Sequence, residues 1–214
     1  MALSKVNFNS LNLTPTASKT VVFNSNNNGI EAGDVGGSMV LISTQTASSS
    51  ATISFTSAID STYKEYIFKF IDIHPATDTA QFSFNMSIDT GSNYNVTKTT
   101  TYFRGFHSED DSTTSLAYQT GDDLAQGTGF QFLTGYLGNG NDESCSGTLH
   151  LFNPSSTTFV KHFMARANEY IFNNSTRDSF VSGYGNTTSA VDAVQFKMSS
   201  GNIDSGTIKM YGVT

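Results

Sequence analysis

An antiparallel all-β sandwich is the fold class this chain predicts, on three observations. Short runs of Val, Ile, Phe and Tyr recur through polar tracts at strand spacing, several with a two-residue alternation. Clusters of Gly, Asn, Asp and Ser that suit turns separate them, and no convincing long helical pattern intervenes. Charged residues make only 14% of the 214, while 17 Phe and 9 Tyr supply all the aromatics, a composition that folds by β-pairing rather than through salt-laced helices. Each alternating strand must bury its apolar face against another layer, so many short strands imply two packed sheets.

The leading residues carry Lys5 and Lys19 and no acid before Glu31. Leu11, Leu13, Val21, Val22 and Phe23 could form early strands, followed by a polar loop from Asn24 to Gly37 and an apolar run, Met39 to Ile42. Residues 1–45 therefore read either as an arm docking on a neighbouring subunit through Leu11, Leu13, Val21 and Phe23, or as the first strands of the sandwich; residues 46–214 read as the sandwich itself. Ile53 and Phe55 alternate with polar neighbours in a half-buried strand. Tyr66 to Ile73 is apolar on both faces apart from Lys69 and should lie centrally. Phe82, Phe84, Met86 and Ile88 alternate with Ser83, Asn85 and Ser87 in the cleanest two-residue period of the chain. Further strands are expected near Thr100–Phe106, Phe130–Leu137, Thr148–Phe152, Phe159–Arg166, Tyr170–Phe172 and Phe180–Gly183. Val194, Phe196 and Met198, then Ile208 and Met210 beyond the turn Ser199-Ser200-Gly201-Asn202, read as a closing hairpin.

That ending, from Ser200 to Gly212, resembles the S-G-x-I-x-x-G-T-I-K-x-Y-G close of a jelly-roll family found in virion proteins of tailed bacteriophages. The resemblance continues at Ala51–Ile73, with its turn Ile59-Asp60-Ser61-Thr62-Tyr63, and more weakly through Ser87–Tyr94 and Leu151–Ser155. These are framework motifs. They imply a jelly-roll sandwich and a structural place in a phage particle, as a tail-fibre or knob module or a head decoration, with trimers as the expected oligomer and other virion proteins as partners.

A formal net charge of −7 and only three arginines, Arg104, Arg166 and Arg177, argue against nucleic-acid binding. The lone Cys145 cannot form an internal disulfide and reads as a small buried apolar residue. Neither a signal-peptide pattern nor an 18-residue apolar run occurs, so a soluble protein made in the host cytosol, without membrane insertion, is expected before incorporation into the virion. With few charges to guard them, sheet edges should be covered by identical neighbours.

Two acidic stretches invite chemistry: Glu109-Asp110-Asp111 with Asp122-Asp123, and Asn139-Gly140-Asn141-Asp142-Glu143. Asn139, Asn141, Asp142 and Glu143 are weak calcium candidates, since oxygen-rich loops suit that ion but the EF-hand spacing is missing; no other cofactor is indicated. A glycosidase would need two carboxylates about 5–10 Å apart, for which Glu109, Asp122, Asp142 and Glu143 are the candidates. His74, His107, His150 and His162 lack metal-ligand spacing, and no catalytic motif is present, so the expectation is a non-enzyme. A lectin-like module reading host surface glycans is the alternative. Tyr94, Tyr118, Tyr136 and Tyr184, near polar loops, are then the candidates for sugar stacking or subunit contact.

Overall fold

The computed structural model describes residues 19–23, 30–34 and 38–214. The chain divides into a leading unit, Met1–Ser38, and a main unit, Met39–Thr214. In the leading unit β1 (Lys19–Phe23) pairs antiparallel with β2 (Ile30–Asp34), Val21 opposite Ala32 and Val22 opposite Glu31. The polar stretch Asn24–Gly37 thus contains a strand and is not all loop, a strand hidden in the sequence because Ile30 is its sole strong β-former. Leu11 and Leu13 lie outside the described residues; Val21 is 51% exposed.

The main unit holds β3 (Met39–Ser50), β4 (Ile53–Phe55), β5 (Glu65–Pro75), β6 (Phe82–Ser87), β7 (Lys98–Ser108), β8 (Thr114–Tyr118), β9 (Gln131–Phe132), β10 (Cys145–Phe152), β11 (Lys161–Ile171), β12 (Ser175–Gly185), β13 (Ala193–Met198) and β14 (Ile203–Val213). Since β3 starts at Met39, residues 39–45 belong to the sandwich and not to the leading segment. One sheet has eight strands in the order β3-β14-β5-β10-β11-β12-β7-β8, the other four in the order β4-β13-β6-β9. Setting aside β7–β8 and β11–β12, the remaining strands form two four-stranded sheets, β3-β14-β5-β10 and β4-β13-β6-β9, whose connections make a jelly roll. The two insertions come from different parts of the chain and join through the β12–β7 pair, widening one sheet well past the other.

This topology corrects the closing hairpin. β13 pairs with β4 and β6, whereas β14 pairs with β3 and β5, so the turn at Ser199–Asn202 carries the chain from one sheet to the other. The alternation itself holds, since Val194, Phe196, Met198, Ile208 and Met210 are all buried. In a jelly roll, however, two consecutive strands can face the same core from opposite sides. Gly206, with φ of 122°, lets β14 bulge past β5, where a Cβ would lie 2.7 Å from the Asp72 carbonyl oxygen.

Between the sheets Phe196 stacks on Phe82 at 5.6 Å and meets Phe55, Phe68 and Phe84 at ring distances of 5.5–6.4 Å. β5 is central, as its apolar run predicts, between β14 and β10. β6 departs from simple alternation because Ser83, Asn85 and Ser87 are buried as well. Asn85 explains how: its Nδ2 donates to the carbonyls of Tyr94 and Thr128, and its Oδ1 accepts from Met86 N–H and from Lys98. The expected strand over Phe130–Leu137 shrinks to β9, because the Thr134 hydroxyl accepts the Phe82 N–H and the Gly135 N–H goes to the Glu169 carboxylate instead of a ladder. Tyr170–Phe172 is no separate strand; β11 runs unbroken to Ile171 since Ala167 and Glu169 face inward. β8 had no expectation, its five residues lying among exposed polar positions.

A polar furrow over a buried ionic network

The widened half of the eight-stranded sheet, β10-β11-β12-β7-β8, has two unlike faces. Strand alternation turns Glu169 of β11, Arg177 and Ser179 of β12 and Tyr102 of β7 inward, where each is 5% exposed or less. Glu169 lies opposite Arg177 in the β11–β12 register. Its carboxylate accepts the Gly135 N–H at 2.6 Å and the Ser179 hydroxyl, with Arg177 Nε at 3.8 Å. Arg177 Nη2 donates to Tyr102 Oη at 2.7 Å, its Nε donates to Ser179 Oγ at 3.1 Å, and it faces Asp122 at 3.7 Å. Burial pushes the Glu169 carboxyl up to about 7 against the opposing pull of Arg177, and burial pushes the Tyr102 phenol up as well. Gly135 is required here, because a Cβ would collide with the Arg177 guanidinium. Enclosed and mutually satisfied, these groups hold the insertions to the loop at 122–135; none of them is open to a substrate.

The outer face is exposed and ordered in rows. One row reads Thr148, Arg166, Phe180, Phe103 and Tyr118; the next reads Ser146, Asn168, Asp178, Gly105 and Leu116; a third reads Tyr170, Thr176, His107 and Thr114. Phe103 and Phe180 stack in parallel at 4.8 Å, and the Arg166 guanidinium lies 4.9 Å from the Phe180 ring while bonding Asp178 at 2.6 Å. Two adjoining clefts form a furrow across this face. The larger, about 450 Å³, shares Ser146 and Asn168 with the cleft at Arg166 and Asp178, and at the strand ends it meets a third cleft, at Asp110 and Asn174, that lies off this face.

The residues singled out from the sequence do not converge. Glu109 lines the furrow, Asp122 belongs to the inner network, and Asp142 and Glu143 sit in a separate loop. Glu143 is turned back on its own loop, accepting the Gly140 N–H and packing against Gly138. Asn139, Asn141 and Asp142 around it are exposed, and among the described residues no three His, Cys, Asp or Glu side chains group as metal ligands. The histidines have separate partners: His74 the Gly140 carbonyl, His107 Asp111, His150 Glu65, and His162 the edge of Tyr184. Cys145 is 1% exposed and burial pushes its thiol well up.

Of the four tyrosines, Tyr118 and Tyr184 lie on the outer face, at opposite sides of it; Tyr118 is half exposed and donates to Asp123 at 2.7 Å. Tyr94 folds its hydroxyl over Gly91 within a turn, and Tyr136, also half exposed, lies in the segment after β9. Sequence reasoning missed the Glu169–Arg177 pair and the furrow residues Asn168 and Thr176. A signal existed for the pair: Asn173-Asn174 mark a turn, and a three-residue loop, Phe172 to Asn174, sets Glu169 opposite Arg177 if the flanking segments form a hairpin.

The sheet edges are unequal. β4 and β9 have three and two residues, and β8 has five, flanked by Asp110-Asp111 and Asp122-Asp123. β3 has twelve residues without a charge or a proline, pairs only with β14 among the described residues, and exposes Val40 and Leu41. No protein-family model, curated protein or solved structure matches the chain.

Proposed function

We propose that this protein is a non-enzymatic structural module that assembles through its sheet edges, as an accessory component of a bacteriophage particle. The observation that carries the assembly reading is β3. Twelve uncharged edge residues, with one slip of register at Ile42, present a row of backbone donors and acceptors unpaired among the described residues, which isolated sheets ordinarily guard with lysine or proline. The other three edges are short, and β8 is flanked by acids, so β3 is the edge left for another strand. The partner is a second copy of the chain, with the leading segment adding to the contact and trimers as the expected closed form. A specific interface of this kind buries about 1,200 Å² or more. The phage setting rests on the resemblance of Ala51–Ile73 and Ser200–Gly212 to virion proteins.

Light scattering on the purified protein tests this. The wild type should be oligomeric, and placing lysine at the exposed β3 positions Gln45 and Thr46 (Gln45→Lys with Thr46→Lys) should yield folded monomers. A wild type that stays monomeric across concentrations, or an oligomer indifferent to the two lysines, would overturn the β3 reading. Locating the chain in intact particles by electron microscopy would decide between head and tail.

A further inference from the structure

We infer that the furrow on the outer face of the widened sheet is a binding site for a stretch of neutral polysaccharide. Its shape is the first reason. Two clefts that share Ser146 and Asn168 make a trough, and along β11 alone the reach from Arg166 to Tyr170 is about 13 Å, longer than a single sugar ring. A trough with shared walls admits a chain, whereas a closed pocket admits one small molecule.

The second reason is the donor and acceptor set. Asn168 Nδ2 donates to Thr176 Oγ1 at 3.1 Å and to the Arg177 carbonyl, which fixes the amide and leaves its Oδ1 to accept and the Thr176 hydroxyl to donate. Ser144 and Ser146 add hydroxyls along the trough. A sugar hydroxyl is at once donor and acceptor and matches this mixed set.

Charge supplies the third reason. Arg166 is paired with Asp178 and His107 with Asp111, so the walls offer no free cation for a phosphate or sulfate. The chain's net charge of −7 further disfavours an anionic polymer. Beside the trough, the stacked Phe103 and Phe180 rings, with Phe103 42% exposed, provide an apolar shelf of the kind that meets the C–H face of a sugar. This site is distinct from the β3 edge, and the two readings fail separately.

The test is retention of the full-length protein on an array of neutral hexose and N-acetylhexosamine oligosaccharides. Variants would be Asn168→Ala, Thr176→Trp to fill the trough from an exposed position, and Ser200→Trp as an exposed control outside it, each checked for an unchanged melting curve. The wild type and the control should bind a common subset. Asn168→Ala should bind it about tenfold more weakly, the worth of roughly one hydrogen-bonded group, and Thr176→Trp should abolish it. Either no retention of any saccharide by the wild type, or retention unaffected by both furrow variants, would overturn the inference.

Discussion

Lys98 offers the sharpest test of the energetics. It opens β7 with its side chain wholly buried, and Nζ donates to Asn85 Oδ1 at 2.5 Å and to the Val96 carbonyl at 2.7 Å, with no carboxylate among its partners. Burial lowers its pKa from 10.5 to about 7. Between those two values the unfolded chain holds a proton that the folded protein lacks, so this group makes stability rise with pH across the window. Below about 7 the full penalty of charging a buried amine applies, and above 10.5 it vanishes. The difference between those two values is worth about 5 kcal/mol. Lys98→Met removes the penalty but leaves the Val96 carbonyl without its donor, at a cost of about 1–3 kcal/mol; Asn85 Oδ1 keeps the Met86 N–H. The variant should therefore be more stable than wild type by about 2–4 kcal/mol in neutral solution and less stable once the pH exceeds the ordinary lysine value. Urea unfolding of both proteins across that window measures the difference, in which the titrations of Cys145, Tyr66 and Tyr102 cancel. A difference that stays constant with pH would refute the reasoning, and so would a wild type that is the more stable of the two at neutrality.

Two further outcomes follow from packing. Phe196→Ala, at the centre of four aromatic contacts and fully buried, should cost about 4 kcal/mol and lower the thermal midpoint by roughly 10 °C, as read by calorimetry; a loss under about 1 kcal/mol would mean the cluster is not packed as described. Gly147→Ala would drive a Cβ into the Arg166 carbonyl oxygen across the β10–β11 pair, whereas Gly105→Ala meets nothing within 4 Å. Chemical denaturation should show the first destabilised by at least about 2 kcal/mol and the second unchanged or stabilised by about 0.5 kcal/mol.

Strands with a strict apolar period were legible because the period itself is the signal of burial. β6 and β13 follow it, β5 was legible instead as a continuous apolar run, and the inward residues of the three make up much of the core. β2 and β8 were not legible, since their residues are held by pairing to a neighbour and carry few β-formers of their own. Which sheet a strand joins is a long-range matter. Nothing local to Ser199–Asn202 says that β13 and β14 part company, and a polar turn serves a hairpin or a crossing equally well. The buried side of β6 misled for a related reason: Ser83, Asn85 and Ser87 have the composition of a wet face, and only partners outside the strand, the nearby Asp89 and the more distant Lys98 and Lys197 carbonyl, make them a dry one. The candidate site was the least legible part. Asn168, Thr176 and Ser146 have no spacing motif, and they meet only because three strands fall into register.

The place of β14 between β3 and β5 also constrains how the protein can be made. Met39 pairs with Val213 and Glu65 with Val213, so the two flanking strands wait for the last strand of the sandwich before their facing edges are satisfied. During vectorial synthesis the β10–β11–β12 meander, whose partners are near in sequence, can zip up while the ribosome still holds β14. Until β14 emerges, β3 and the aromatic β5 have no strand between them, so loss of β14 should lead to aggregation instead of to a smaller folded product.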